Sequence, residues 1–479
     1  MSAPAVEAAR TDQANEPSWS SVTPLLRRLH FYAGVLVGPF LLVAAASGLL
    51  YALAPQVDDV LYGDVLQVSS ATGASRPVAE QVAAATAALP EGTVTGVLVA
   101  EDPDATTQVV FAVPGLAEEH SRTVYVDPYT AEVRGQLTTW FGSTPATTWL
   151  DGLHRHLNLG EPGRLYSELA ASWLWVIALV GVVLWVARRR TARRRARALL
   201  VPEKGAKGVR RTRSWHASVG MWALIGALFL SATGLTWSTY AGENFSAALT
   251  ALDAKAPVLD TALPGSTAAG GGSGEHDQHG GGSGTTGPVD AAAFDRVLAT
   301  ARGAGLDGPL ELTVPGEPGN AWTAAQIDNA WPVRLDKVAV DPANTTVTAR
   351  TDFADRPLLA KLSTLGIQAH MGRLFGVLNQ VLLFLLAAAI LTLVVLGYRM
   401  WWQRRPTRAD RRAPLGAAPK RGAWQQLPQW FVIPAPLVLV VIGWAIPLLG
   451  ISLVAFLILD GLIGLVRART GRRDPEPAR

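Results

Sequence analysis

Long apolar runs alternate with long polar segments along the chain, and a histidine stands at the start of four runs or shortly before them. These four runs are Leu29–Leu53, Ala170–Ala187, Ala217–Tyr240 and Leu374–Met400. Each is close to the roughly 20 residues that an α-helix needs to cross a bilayer. A fifth stretch, Trp430–Val466, is too long for one span, and Pro447 within it predicts a hairpin of two helices. The pattern therefore predicts an α-helical integral membrane protein with about six transmembrane helices.

The first and third runs repeat each other, and so do the segments that precede the second and fourth runs. Aligning His30 with His216 also brings Gly34 onto Gly220. The two later motifs are Gly152-Leu-His-Arg-His156 and Gly366-Ile-Gln-Ala-His370. Repeated sequence at matching positions indicates a repeated structural unit. We therefore predict two parallel copies of a helix, an outer domain and a second helix, related by an axis along the membrane normal.

The polar segments that follow the first and third runs each predict a small α+β domain on the outer face of the membrane. In the first segment we expect a helix over Val78–Leu89 and strands over Val94–Ala100, Gln108–Val113, Thr123–Val126 and Glu132–Leu137. In the second segment we expect a helix over Val289–Arg302 and strands over Leu310–Val314, Ala321–Ile327 and Val333–Val340. The fold class is thus a helical membrane protein with two small extracytoplasmic domains.

Basic residues cluster beside the apolar runs, above all in residues 188–213 and 401–428. Such loops stay in the cytoplasm, so both termini are predicted inside a multi-pass plasma-membrane protein whose first partner is the lipid bilayer. The net charge of +4 therefore reflects topology and does not indicate nucleic acid. In the first half, the predicted boundaries are 1–24 for a disordered cytoplasmic N-terminus, 25–54 for the first span, 55–150 for the first outer domain, 151–187 for an outer histidine segment with the second span, and 188–213 for a basic cytoplasmic loop. In the second half, they are 214–240 for the third span, 241–365 for the second outer domain, and 366–400 for an outer histidine segment with the fourth span. The chain then continues with 401–428 as a cytoplasmic loop, 429–467 as the hairpin and 468–479 as a cytoplasmic tail.

Four histidines at repeat-related positions are the main candidates for chemistry. His30 and His216 stand at the cytoplasmic starts of two spans, while His156 and His370 stand just before two other spans, at the outer face. Paired imidazoles from facing helices are a natural axial ligand set for haem b. We therefore predict two b-type haems, with Gly34, Gly220 and Gly372 providing clearance for the macrocycles. His154 is an alternative outer ligand, and the alternative for all of them is a structural role at the membrane interface.

Other cofactor chemistry is restricted by composition. The chain has no cysteine, which excludes disulfides, cysteine-ligated iron–sulfur clusters and covalent haem attachment. No G-x-G-x-x-G motif with a following acid is present, so no flavin or nicotinamide site is visible. His276 and His279 lie in a Gly/Ser/Thr-rich linker, 265–287, and could hold a metal ion weakly. The alternative is a plain flexible linker, because ordering such a segment costs entropy.

Together, the repeated helix with its early histidine, the segment Val124-Tyr-Val-Asp127-Pro128-Tyr129-Thr130 and the Gly152–His156 motif resemble the PepSY-associated transmembrane family. The resemblance covers roughly residues 25–400, and Ala131 departs from the glycine that usually follows the turn. It implies a helix–PepSY-like domain–helix repeat that holds haem, and electron transfer to an extracytoplasmic ferric siderophore or other metal complex. The electron donor is then external, either a quinol or a cytoplasmic reductase.

Two other functions are also considered for this sequence. A non-enzymatic membrane protein could use its PepSY-like domains to bind or regulate an extracytoplasmic partner, with the histidines as structural residues. A metal transporter is less consistent with the sequence, because the spans carry few charges and nothing resembles an ion site at the membrane midplane. A visible absorption spectrum separates the haem protein from both.

Overall fold

The computed structural model describes residues 19–68, 71, 73–117, 119–191, 199–266, 289–403 and 432–469. The chain divides into two compact units, one formed by Ala44–Ser167 and Phe245–Ala388 and the other by Met1–Val43, Glu168–Asn244 and Ala389–Arg479. Most of the predicted N-terminal segment, linker, second cytoplasmic loop and C-terminal tail lies outside the described residues.

The described elements are named here in chain order. The first half contains α1 (Trp19–Tyr51), α2 (Ala54–Leu66), α3 (Val78–Ala88), β1 (Thr93–Val99), β2 (Thr107–Ala112), β3 (His120–Val126), β4 (Val133–Trp140), α4 (Pro145–His156), α5 (Glu161–Thr191), α6 (Gly208–Thr236) and α7 (Tyr240–Ala251). The second half contains α8 (Ala291–Gly303), β5 (Leu310–Thr313), β6 (Trp322–Gln326), β7 (Lys337–Asp341), β8 (Thr346–Thr351), α9 (Leu358–His370), α10 (Gly376–Gln403), α11 (Ala435–Ala445) and α12 (Pro447–Arg469).

Four of the described helices, α1, α5, α6 and α10, are long and apolar enough to cross a membrane. They coincide with the four apolar runs that the sequence pattern singles out. The C-terminal stretch breaks before Pro447, as expected, but α11 has only 11 residues. At 1.5 Å per residue α11 is about 16 Å long, roughly half of a bilayer core, so a count of six spans stays a prediction.

The C-terminal helix α12 packs against the same group of long helices. Trp173 Nε1 on α5 donates a hydrogen bond to Ser452 Oγ on α12, at 2.9 Å. The rings of Tyr32 on α1 and Phe456 on α12 lie 5.5 Å apart, centroid to centroid. These contacts attach the end of the chain to α1 and α5.

The two predicted outer domains are not separate, because their strands form one eight-stranded sheet. Its strand order is β4-β3-β2-β1-β5-β6-β7-β8, and every neighbouring pair is antiparallel. The halves meet where β1 pairs with β5, with Val97 opposite Leu312. In a separate four-stranded domain β1 would be an edge strand with unpaired backbone groups, and its pairing with β5 removes that edge.

One hydrophobic core lies under both halves of the sheet. It includes Phe111 and Val97 from the first half and Phe294 and Leu312 from the second, all fully buried. Asp295 on α8 also accepts hydrogen bonds from the backbone N–H groups of residues 78 and 79, at 2.7 and 3.1 Å, and so caps α3. The two halves therefore depend on each other for both their core and their helix capping.

Four short helices, α2, α4, α7 and α9, were not expected as helices, and α4 and α9 each end at a candidate histidine. Thr144 caps α4 by accepting a hydrogen bond from the N–H of Thr147, and Pro145 occupies the first helical turn. Asp58 on α2 accepts hydrogen bonds from the hydroxyls of Thr144 and Thr147, at 2.5 and 2.7 Å. Leu157 ends α4 in the left-handed conformation. These contacts fix the helix that carries two of the histidines.

Candidate functional site

His30 on α1 and His216 on α6 lie next to each other, as the alignment of the two helices predicts. Their ring centroids are 6.3 Å apart, and the ring planes are inclined by 80°. An imidazole nitrogen binds a first-row metal at about 2 Å, and the ring centroid lies roughly 1 Å behind that nitrogen. Two imidazoles on opposite sides of one metal would therefore have centroids about 6 Å apart. The observed spacing matches that arrangement.

The hydrogen bonds of this first pair define which ring nitrogen is available. His30 Nδ1 donates to the carbonyl oxygen of Ile177 on α5 at 3.1 Å, and His216 Nδ1 donates to the carbonyl oxygen of Leu393 on α10 at 3.0 Å. Because a carbonyl oxygen only accepts, each Nδ1 must carry the proton. In a neutral imidazole the lone pair is then on Nε2, the nitrogen that remains for a metal.

A glycine follows each of these carbonyl groups one helical turn later. A Cβ at Gly181 would lie 3.0 Å from His30 Cε1, and one at Gly397 would lie 3.8 Å from His216 Cε1. The absence of a side chain at Gly181 therefore lets the His30 ring approach the α5 backbone. Sequence reasoning missed both residues, although each is an isolated glycine inside an apolar helix, which often marks close packing.

A cavity of about 600 Å³ opens beside this pair, between α1, α5, α6 and α10. Its size falls within the roughly 300–1,000 Å³ of cofactor pockets. Gly34 and Gly220 line it, as expected for residues that provide clearance, and nothing lies within 4 Å of a Cβ placed at Gly34. Gly372 has a different role, because it lies in the turn after α9 with φ +78°. A positive φ alone explains a glycine there.

In the other unit, His370 at the end of α9 lies beside His154 at the end of α4. Their ring centroids are 6.3 Å apart, the same spacing as in the first pair, with the planes inclined by 47°. His154 Nδ1 is 3.1 Å from Ser47 Oγ, and that hydroxyl also donates to the carbonyl oxygen of Ala44. With the hydroxyl proton engaged, Ser47 accepts from His154 Nδ1–H and leaves Nε2 available.

The outer pair thus involves His154, whereas the repeat alignment predicts His156. Residues two apart on a helix point to different sides, so His154 and His156 cannot both face His370. The His156 ring lies over Gly152 of its own helix, 3.3 Å from the position of an added Cβ. Its Nδ1 is buried and has no hydrogen-bond partner among the described residues. The contact with His370 supports His154, the alternative outer ligand.

Two further contacts determine the ring position of His154 in the outer pair. The ring of Tyr51 stacks on His154, with centroids 6.3 Å apart and planes inclined by 13°. A Cβ at Gly48 would lie 2.9 Å from His154 Cε1, so glycine is needed for this ring position.

Burial lowers the pKa of His154, and burial together with the neighbouring His154 lowers the pKa of His370. Both rings are therefore held in the neutral form that binds metals.

The remaining candidate, the linker with His276 and His279, lies outside the described residues. Within the part of the chain that the structure describes, no group of three or more His, Cys, Asp or Glu side chains could hold a metal ion. The two histidine pairs are smaller than such clusters, because each brings only two imidazoles together.

A family model described as "PepSY-associated TM region" matches residues 27–404. The chain belongs to the PepSY-associated TM family. The match runs from residue 27 within α1 to the end of α10, includes all five candidate histidines of these sites, and leaves α11 and α12 outside. No curated protein matches this PepSY-associated TM protein significantly.

Proposed function

We propose that this membrane protein binds two b-type haems and transfers electrons to an extracytoplasmic acceptor, a ferric siderophore or another metal complex. The first haem would be held by His30 and His216, and the second by His154 and His370. The observation that supports this most strongly is the pair of carbonyl-bonded imidazoles 6.3 Å apart beside a cavity of about 600 Å³.

The residues fit a haem in three respects. The imidazole pairs have the spacing of axial ligands, and in the first pair the backbone carbonyls leave Nε2 unprotonated. The open position at Gly34 leaves space in the cavity that a side chain would occupy. A haem b with two imidazole ligands supplies one-electron transfer and has no open position for oxygen.

The chain's own residues orient and insulate the ligands. The carbonyls of Ile177 and Leu393 prevent the first two imidazoles from rotating, and the neighbouring glycines keep them close to α5 and α10. Ser47 and Tyr51 orient His154 in the same way. Away from its arginines the first cavity is lined mainly by apolar side chains, which would lower the reorganisation that accompanies a change of charge.

The direction of transfer follows from the predicted topology. The first pair is near the predicted cytoplasmic ends of α1 and α6, and the second pair comes from segments predicted on the outer face. Electrons would enter from a quinol or a cytoplasmic reductase at the plasma membrane and leave near the sheet domain. The eight-stranded sheet is then the candidate docking surface for the acceptor.

Haem content tests the ligand assignment. The wild-type chain, expressed with haem supplied, should contain two haems per chain with six-coordinate spectra. His30→Ala and His216→Ala should each remove one haem, while His154→Ala and His370→Ala should each remove the other. His156→Ala is the matched control and should retain both. A wild type without haem, or four ligand variants with unchanged spectra, would favour the non-enzymatic binding protein.

Electron transfer itself is tested in proteoliposomes. A reductant sealed inside should reduce a ferric siderophore outside only when both histidine pairs are intact. Variants that lack either haem should lower this rate to that of empty liposomes. Full transfer by a variant that lacks one haem would contradict a relay through both sites.

A further inference from the structure

The cavity beside His30 and His216 is polar at one end and apolar at the other. Its lining follows α1 from Arg27 to Leu41 and α6 from Arg213 to Ala227. On α5, which runs in the opposite sequence direction, the lining extends from Arg188 back to Leu174. In each of these helices the arginine is at one limit of the lining and an aliphatic residue is at the other.

Two of the arginines lie on the same helix faces as the candidate ligands. Arg27 precedes His30 by three residues, and Arg213 precedes His216 by three residues. Side chains three apart lie on one face of a helix, with Cβ atoms about 5–6 Å apart. Helical side chains also tilt toward the N-terminus, so both arginines extend from the imidazoles toward the helix starts. The two helices thus present the same arrangement of a ligand and a guanidinium.

The charged residues that line this end of the cavity are all basic. None of the described residues that line it is acidic, whereas Arg27, Arg188 and Arg213 all contribute to it. Arg188 joins the other two from the last part of α5. A site with three guanidinium groups and no carboxylate is complementary to a ligand that carries carboxylates.

We infer that Arg27 and Arg213 bind the two carboxylates of a dicarboxylate porphyrin, with Arg188 as a third cation, and so fix its carboxylate edge toward the N-terminal ends of α1 and α6. This inference rests on the function proposed above. Guanidinium groups bind carboxylates through two parallel hydrogen bonds, which orient the ligand as well as retain it. The apolar edge of the macrocycle then faces the aliphatic limit of the cavity.

The test compares haem b with its dimethyl ester, in which both carboxylates are capped. Apoprotein carrying His370→Ala is titrated with each, so that only the cavity site binds, and the dissociation constant is read from the absorption spectrum. A hydrogen bond to a charged group contributes about 1.5–3 kcal/mol, so the protein should bind haem roughly 10- to 150-fold more tightly than the ester. Arg27→Gln and Arg213→Gln should each reduce that preference and leave the affinity for the ester unchanged.

Arg210 provides the matched control, because it is on α6, is exposed, and pairs with Glu203 at 2.8 Å. Arg210→Gln should retain the full preference for haem. Equal losses of haem and ester affinity in the Arg27 and Arg213 variants would assign these residues a structural role and overturn the inference. An undiminished preference in both variants would overturn it as well. A protein that binds neither porphyrin would instead refute the proposed function.

Discussion

Replacing Gly34 should increase the stability of the apoprotein and, at the same time, lower its affinity for haem. Gly34 is one turn after His30 on α1 and lines the cavity, and a Cβ added there meets no heavy atom within 4 Å. Glycine inside a helix is less stable than alanine by about 0.5–1 kcal/mol. Without haem, Gly34→Ala should therefore stabilise the protein by about that amount, because nothing in the cavity opposes the methyl group.

The haem-bound protein should respond with the opposite sign. If the macrocycle lies against Gly34, the added methyl group overpacks the site, which typically costs about 1–3 kcal/mol. That cost corresponds to a roughly 5- to 150-fold weaker affinity for haem. Gly34→Leu introduces a larger group into the same space and should remove this haem altogether, while the outer haem remains.

The assay combines haem titration of the apoprotein with its thermal unfolding, followed by tryptophan fluorescence. Gly461→Leu is the control, because Gly461 on α12 also faces open space but does not line the cavity. It should leave both haems in place. Wild-type haem affinity in Gly34→Leu would show that no macrocycle lies against this part of α1, and the cavity would then need another ligand.

Two further substitutions and one deletion test the outer site, the sheet and the linker independently. Gly48→Val should displace the His154 ring, which would lie 2.9 Å from the new Cβ, so spectra should show one haem lost and one retained. Gly96→Ala places a Cβ 2.9 Å from the Leu312 carbonyl oxygen and should lower the free energy of unfolding by about 1–3 kcal/mol; an unchanged melting temperature would contradict the tight β1–β5 junction. Deleting residues 265–287 should leave the haem content unchanged, because the segment's composition disfavours a fixed fold, and a loss of haem on deletion would refute this.

The sequence predicts the local elements well and their long-range pairing poorly. A run of about 20 apolar residues has few structural options other than a spanning helix, so α1, α5, α6 and α10 are evident. Strands β1 and β5 are also visible as apolar segments. The sequence of either strand does not identify its pairing partner, which lies more than 200 residues away. Strand β8 was missed because its apolar alternation is weak, in keeping with a strand that has no fully buried residue.

The candidate site shows the same limit at finer scale. Aligning the repeats places His30 and His216 correctly side by side, because both are on long helices in the same register. The same alignment matches His156 with His370, although His154 contacts His370. The difference arises because α4 was not recognised as a helix, and only its helical period shows that the two histidines face different sides.

Apolar helices offer few side chains that can orient an imidazole, and the first site uses the backbone instead. The Ile177 carbonyl on α5 and the Leu393 carbonyl on α10 each accept a hydrogen bond from one imidazole. These groups cannot donate, so the tautomer of both imidazoles is determined by the fold and not by a neighbouring side chain.

At the outer site His154 contacts the backbone of Ala44 and also the hydroxyl of Ser47, which can donate or accept. Ser47 serves as an acceptor for His154 only while its own proton is engaged by the Ala44 carbonyl. A side chain therefore contributes to the tautomer of His154, whereas the hydrogen bonds described above for His30 and His216 are to backbone carbonyls. If the outer pair binds haem as proposed, replacing Ser47 should therefore change that affinity, since hydrogen bonds to a metal ligand typically alter metal affinity by about 10- to 100-fold.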